Sequence, residues 1–379
     1  MTKELAAKEL GIGIIGTGFM GKAHAFAYRV ALAAFPDIPV PRLEMIADVN
    51  EASAAKAAHQ YGFARASGDW RALVNDPRVD VVSITTPNTL HKEMALAAIA
   101  AGKHVHCEKP LSPSLADSLE MVEAAEKKGV STQVGFNYIK NPLLKQARDM
   151  IAAGELGEIT GFRGIHAEDY MHDPDSPYSW RIDPVGGPGV IADLGSHIIG
   201  MARFLLGPIA DVSADMRTVV KSRPVSRGAK ERKGVLVDDV ARILVNFGRG
   251  CGGTIEANWV ATGRKMQLGF EISGDKGSLV FTQERLNELL FYRAGGDAKT
   301  NGYVKIESGP QHPPYGEFCI AGGHQLGFND LKTIEMGEFL RAIGQGKTST
   351  PDFREAYEIQ KVVDAAIASS TTRSWVVVG

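Results

Sequence analysis

The sequence predicts an α/β chain in two parts: a parallel, doubly wound sheet over residues 1–137, then an α/β part over 138–379 with a large, mostly antiparallel open sheet. Two observations carry this. As far as Val134, short apolar runs alternate with alanine-rich stretches of roughly 10–15 residues, the pattern of strands buried between two helix layers. Beyond Phe136-Asn137, extended segments follow one another and are joined by turn signals, Gly248-Arg249-Gly250 and Asp275-Lys276-Gly277.

Each element has a local reason. Gly11 to Ile15 is a buried strand, and Lys22 to Ala34 is a helix that Phe35-Pro36 and the prolines at 39 and 41 end. Leu43 to Ala47 is a strand closing on Asp48, followed by the helix Glu51 to Tyr61. Val79 to Ile84 is a strand, and Leu90 to Ala101 a helix with Gly102 as its C-cap. Lys103 to Cys107 is a strand, a helix starts at Pro113 and stops before Gly129, and Val130 to Val134 closes the sheet. Then come the helix Pro142 to Ala153, the strand Ile159 to Ala167, a structured loop from Asp169 to Gly189 and the helix Ala192 to Leu206. Extended segments occupy 212–220, 237–247, 251–260, 266–274, 277–282, 287–292 and 303–306. The charged stretch Ser222 to Gly234 reads as a solvated flap. Helices at 326–344 and 353–370 precede a last strand, Trp375 to Val378. The exposed face of an antiparallel sheet of this size ordinarily docks another surface, often a second copy.

Composition narrows the class. The formal net charge is −2, so no basic domain advertises a nucleic-acid partner. No apolar run approaches a membrane span, and MTKELAAKELG is charged where a secretory signal needs apolar residues. Cys107, Cys251 and Cys319 lie far apart, with neither a disulfide framework nor a metal spacing. The expectation is a reduced, cytoplasmic protein with no bound metal and no membrane partner.

Gly16-Thr17-Gly18-Phe19-Met20-Gly21 follows a strand and opens a helix. There Gly16 permits a tight turn, Gly18 lets the backbone approach a pyrophosphate and Gly21 lets helix and sheet pack closely. The helix N-terminus supplies free N–H groups for the anion. This is a Rossmann dinucleotide site. Asp48, 27 residues after Gly21 where about 20 is usual, can accept both adenosine-ribose hydroxyls and repel a 2′-phosphate, favouring NAD; a plain turn residue is the other reading. Thr85, Pro87, Asn88 and His91 sit where the third strand ends, as cofactor neighbours, although His91 equally suits a helix start. Lys109 follows the fourth strand and can stabilise an alkoxide, but a lone lysine there is ordinarily a surface residue. In a helix, Asp193 and His197 share a face, as a carboxylate that touches substrate or orients the ring and a proton carrier, or as an N-cap and a packed histidine.

Together, Gly13-Ile14-Ile15-Gly16-Thr17-Gly18-Phe19-Met20-Gly21, Glu108-Lys109-Pro110 and Asp193-Leu194-Gly195-Ser196-His197 resemble the glucose–fructose oxidoreductase, inositol dehydrogenase and rhizopine catabolism family, over essentially the whole chain. The resemblance implies oxidation of a secondary ring hydroxyl of a cyclitol or sugar to a ketone, with hydride transfer to NAD. It implies Lys109 at the reacting hydroxyl, His197 as acid/base and Asp193 on substrate. Thr17, Phe19, Met20 and Glu108 join the cofactor set. Asn137, Tyr138, Asp169, Trp180, Arg181 and His324 join the substrate set, as in members acting on cyclitols and anhydrosugars. It also implies a homodimer or homotetramer assembled through the open sheet.

Overall fold

The computed structural model describes residues 8–187 and 189–379. The charged N-terminal stretch read above lies, up to residue 7, outside the described residues, as does Pro188 within the 169–189 loop. The chain forms two compact units: one joins the chain up to Lys140 with Gly327–Tyr357, the other joins Asn141–Leu326 with Glu358–Gly379. The expected boundary at 137/138 thus lies three residues early, and it missed a return of the chain to the first unit. That return is the helix Phe328–Gly344, whose Gly337 leaves room for the ring of Phe35 where a Cβ would collide.

The first unit's strands are β1 (Glu9–Ile15), β2 (Val40–Ala47), β3 (Arg65–Ser67), β4 (Val81–Ile84), β5 (His104–Cys107) and β6 (Thr132–Val134). All pair in parallel, in the order β3-β2-β1-β4-β5-β6. The order reverses between β1 and β4, so the turns after those two strands open at the switch point where such sheets bind ligands. The connecting helices are α1 (Phe19–Ala34), α2 (Glu51–Tyr61), α3 (Trp70–Val74), α4 (His91–Ala100) and α5 (Leu115–Lys128). Asn50 and Ser114 cap α2 and α5, and Gly62 and Gly129 end them in left-handed conformations. β3 and α3 escaped the sequence reading because each is short and half polar.

The second unit begins with α6 (Pro142–Ala152) and β7 (Ile159–Ala167). Next come α7, made of a π turn Ile191–Gly195 running into the α-helix Ser196–Leu206, and β8 (Ile209–Arg217). The hairpin β9 (Ser222–Pro224) and β10 (Arg232–Gly234) follows, then β11 (Val240–Phe247), β12 (Gly252–Asn258), β13 (Gln267–Gly274), β14 (Gly277–Thr282), β15 (Glu288–Arg293) and β16 (Val304–Glu307). After α8 (Phe328–Gly344) and α9 (Phe353–Thr372) the chain ends in β17 (Val376–Val377). The large sheet runs β16-β15-β14-β13-β7-β12-β11-β8-β17 and is antiparallel except between β7 and β12. Residues of β11 alternate between buried and exposed, as a sheet covered on one face requires. Ser222 to Gly234 is exposed over most of its length, as a solvated flap should be, but it pairs as a hairpin and buries Arg223 completely. No described helix is long and apolar enough to cross a membrane.

Candidate active site

In the first unit the glycine turn has the form a dinucleotide needs. Gly16 lies at φ +103°, where a side chain is strained, and a Cβ on Gly21 would run into the Gly16 carbonyl. Gly18 caps α1 without a side-chain hydrogen bond, and no atom lies within 4 Å of where its Cβ would be. Open space thus lies beside the backbone at the start of α1, where a pyrophosphate would fit. Asp48 accepts hydrogen bonds from the Thr17 amide (3.0 Å) and hydroxyl (2.6 Å), which fixes its carboxylate beside the turn. These bonds and the Asn50 amide hold Asp48 below the ordinary carboxylate range against the opposing effect of burial. The Thr85 hydroxyl lies within hydrogen-bond distance of the carbonyls of Ile15 (2.9 Å) and Gly16 (3.2 Å), tying the end of β4 to the turn. Phe19 is 71% exposed, Met20 half-buried, Pro87 exposed and Asn88 buried. Phe19 stacks on Phe328 at 5.6 Å, and the Tyr138 ring lies 6.3 Å from the same Phe328. Asn137, 3% exposed, has an amide nitrogen with no hydrogen-bond partner among the described residues. An orphaned donor of that kind suits a polar ligand group.

Two expected cofactor residues do a different job. His91 is fully buried, its Nδ1 3.0 Å from the Pro110 carbonyl and its Nε2 2.9 Å from the Thr86 carbonyl. Its ring staples the β4 and β5 turns together, and burial lowers its pKa. The Glu108 carboxylate points inward. It accepts from His24 Nε2 (2.7 Å) and from Lys332 Nζ (3.1 Å), and Lys332 also pairs with Glu335 (2.6 Å). Burial opposes ionising Glu108, but the Lys332 charge, the His24 hydrogen bond and smaller help from the nearby histidines together outweigh it and hold the carboxyl well below its usual range. His24 is pushed down to about 4 by burial, so at neutral pH it is an uncharged donor to Glu108. Lys109, half-buried, follows this anchored residue directly. Cys107 is buried and its thiol pKa raised by that burial, which leaves it a packing residue.

In the second unit Asp193 lies in the π turn of α7, and His197 is the second residue of the α segment. π turns recur at functional sites. Tyr170 donates its hydroxyl to Asp193 Oδ2 (2.8 Å), and Arg181 Nε approaches the same oxygen (3.5 Å). Burial and the Asp193 charge raise the Tyr170 phenol above its ordinary range, although the residue is 41% exposed. The Arg181 guanidinium also lies 4.5 Å from the Trp180 ring centre. His197, 7% exposed, meets the ring of His166 edge-on at 5.5 Å. His166 in turn lies within hydrogen-bond distance of the Leu194 carbonyl (2.9 Å) and Glu168 (3.0 Å). His166, Glu168 and Tyr170 thus join this cluster, and the sequence reading assigned His166 and Glu168 no part in it. Alternation along β7, which puts Phe162, Gly164 and His166 on its buried side, was the available signal. Asp169 has protein partners of its own: Lys265 lies on both its oxygens (3.0 and 2.7 Å) and the Gly263 amide donates to one (2.9 Å). His324 is exposed on the segment before α8.

Comparison with known proteins agrees with this geometry. Residues 10–136 match the "Oxidoreductase family, NAD-binding Rossmann fold", and residues 144–280 match the "GFO/IDH/MocA C-terminal domain". The chain is 37% identical over 383 residues to levoglucosan dehydrogenase of Pseudarthrobacter phenanthrenivorans, covering 97% of this chain and 98% of that protein. A solved levoglucosan dehydrogenase in complex with NADH and levoglucosan superposes with a TM-score of 0.94 at 38% identity, over 98% of this chain and 100% of the other. A solved NAD binding oxidoreductase from Klebsiella pneumoniae superposes with a TM-score of 0.94 at 44% identity, over 98% and 99% of the two chains. The chain belongs to the glucose–fructose oxidoreductase, inositol dehydrogenase and rhizopine catabolism family and is an NAD-dependent oxidoreductase.

Proposed function

We propose that this protein oxidises a secondary ring hydroxyl of a cyclic polyol, with an anhydrosugar of the levoglucosan type as the first candidate and a cyclitol as the second. The observation that carries the reading is that Tyr170 and Arg181 of the preceding loop meet Asp193 on the π-turned helix that also carries His197, in a chain so extensively similar to levoglucosan dehydrogenase. Bound NAD supplies the two-electron acceptor. The glycine turn holds its pyrophosphate and Asp48 its adenosine ribose. Lys109 stabilises the alkoxide that forms as the hydroxyl loses its proton. His197 takes that proton. Asp193, with one oxygen fixed by Tyr170 and Arg181, hydrogen-bonds the neighbouring ring hydroxyls and rejects epimers that leave one unpaired. Trp180 offers its face to an apolar ring surface.

The open face of the large sheet is where we place a second copy, giving a homodimer or homotetramer. It forms a broad trough of about 780 Å³ lined by alternate residues of neighbouring strands, among them Ile165, Leu244 and Val280. The test of function is turnover of levoglucosan, inositols and aldoses with NAD and NADP, read as reduced-nicotinamide absorbance, together with the reverse reaction on the corresponding ketones. Levoglucosan oxidation with NAD is the expected result. Tight NAD binding with no turnover in either direction would make the protein a sensor that has lost its chemistry.

A further inference from the structure

Ser222 to Gly234 carries a run of cations whose direction is set by the hairpin register: Arg223 pairs with Lys233, and Pro224 with Arg232. The hairpin grips one neighbour, the loop from Asp169 to Asp183. Arg223, 0% exposed, donates Nη2 to the Met171 carbonyl (2.6 Å) and Nη1 to the Asp173 carbonyl (2.7 Å). Arg232 donates to the Pro174 carbonyl (2.8 Å) and pairs with Asp175 (2.8 Å). Lys233 pairs with Asp183 (3.3 Å) and lies 4.1 Å from the Tyr178 ring centre. The Tyr178 amide donates to the Pro224 carbonyl (2.8 Å).

A guanidinium buried without carboxylate contact is costly, and here two main-chain carbonyls take its Nη1 and Nη2 while Nε has no partner among the described residues. Their positions matter. Met171 follows Tyr170, and Asp183 lies two residues beyond Arg181. Tyr170 and Arg181 are both side chains on Asp193 Oδ2, and each of them sits next to a point the hairpin holds. The grip at Met171, Asp173 and Pro174 is on backbone, so it sets the path of the loop whatever side chains the loop carries.

We infer that the β9–β10 hairpin is the positioning element for polyol recognition: Arg223 and Lys233 hold Tyr170 and Arg181 on Asp193 before substrate arrives. This rests on the reading of Asp193 as a substrate contact. Without the clamp, the loop must be ordered by the polyol itself, and that cost falls on polyol binding rather than on NAD binding or bond breaking. The test compares full-length wild type with Arg223→Met, Arg223→Lys and Lys233→Ala. One measurement is steady-state kinetics with levoglucosan and scyllo-inositol at saturating NAD; the other is amide hydrogen exchange over residues 170–183 without substrate. We expect Arg223→Met and Lys233→Ala to raise the polyol KM about tenfold, with kcat and the NAD KM within about twofold of wild type. Exchange in the loop should quicken several-fold, and Arg223→Lys should recover part of both effects. Unchanged exchange, or polyol and NAD KM values rising together, overturns the inference. Should Arg223→Met fail to fold, the exposed Lys233 decides it. A wild type inert toward every polyol overturns the dehydrogenase reading, and the exchange measurement then still decides whether the hairpin is a clamp.

Discussion

Glu108 and Lys109 are adjacent in sequence and opposite in environment. Glu108 turns inward to His24 and Lys332, and that anchor sets where the next side chain starts. On the far side, the Pro110 carbonyl rests against buried His91. Lys109 therefore stands between two braced neighbours, which suits the alkoxide-stabilising role proposed for it. Lys109→Ala is expected to lower kcat by about 10²–10⁴ while NAD binding, read by fluorescence titration, stays near wild type. Wild-type turnover would remove Lys109 from the chemistry. Asp48→Ala is expected to erode the preference for NAD over NADP, measured as the ratio of kcat/KM values, because the carboxylate that repels a 2′-phosphate is gone. At this scale the glycine turn was legible from its spacing after a strand, whereas Lys109 was singled out by the family resemblance and not by its spacing. The inward turn of Glu108 was not legible: its partner Lys332 forms with Glu335 an ordinary i, i+3 pair to any reading of helix charge.

Two helices show how an element is tuned. In α8, Lys332 is fully buried, yet Glu108 and Glu335 hold its pKa above the ordinary lysine value against the effect of burial. Lys332→Met would strand two buried carboxylates, and a loss of about 3–5 kcal/mol is expected from urea unfolding. In α7 the chain enters the π turn under the control of Asp238, whose carboxylate accepts the Ile191 amide at 3.0 Å. Burial raises Asp238 to about 7, above the usual 3.8. The folded state therefore binds this proton more tightly than the unfolded chain. Its contribution to stability is complete below about pH 4 and is lost as pH rises through about 7. His24 has the opposite slope: its pKa is lowered to about 4, so stability grows as pH rises from about 4 to 6.5. Asp238→Asn should cancel the Asp238 slope alone, so the difference between variant and wild-type urea midpoints should widen in the variant's favour between about pH 4 and 7. A constant difference would mean that Asp238 is ionised throughout.

At the scale of whole units, the period-2 pattern of the second unit buries one sheet face under α7 and leaves Leu244, 50% exposed, on the other. If that face seats a second copy, Leu244→Glu places a charge in a desolvated interface. Light scattering should then report a smaller species than the wild-type oligomer, and an unchanged mass would move the interface elsewhere. The chain's return to the first unit was invisible in advance because α8 has the composition of any amphipathic helix. Its address is written in the gap at Gly337 and in the buried lysine, not in its periodicity.

The sequence by itself determined the fold class, the dinucleotide turn, the choice of NAD and the run of antiparallel strands, because each depends on residues within a few turns of one another. Tertiary structure alone decided that Glu108 faces inward, that His166 stands against His197, that Lys265 pairs with Asp169 and that the charged stretch from Ser222 to Gly234 forms a hairpin with Arg223 buried. Those outcomes join residues far apart in the chain: Lys332 and Glu108 are 224 positions apart and meet in a water-poor interior. There an unpaired charge is so costly that the choice of partner governs where every neighbouring side chain goes.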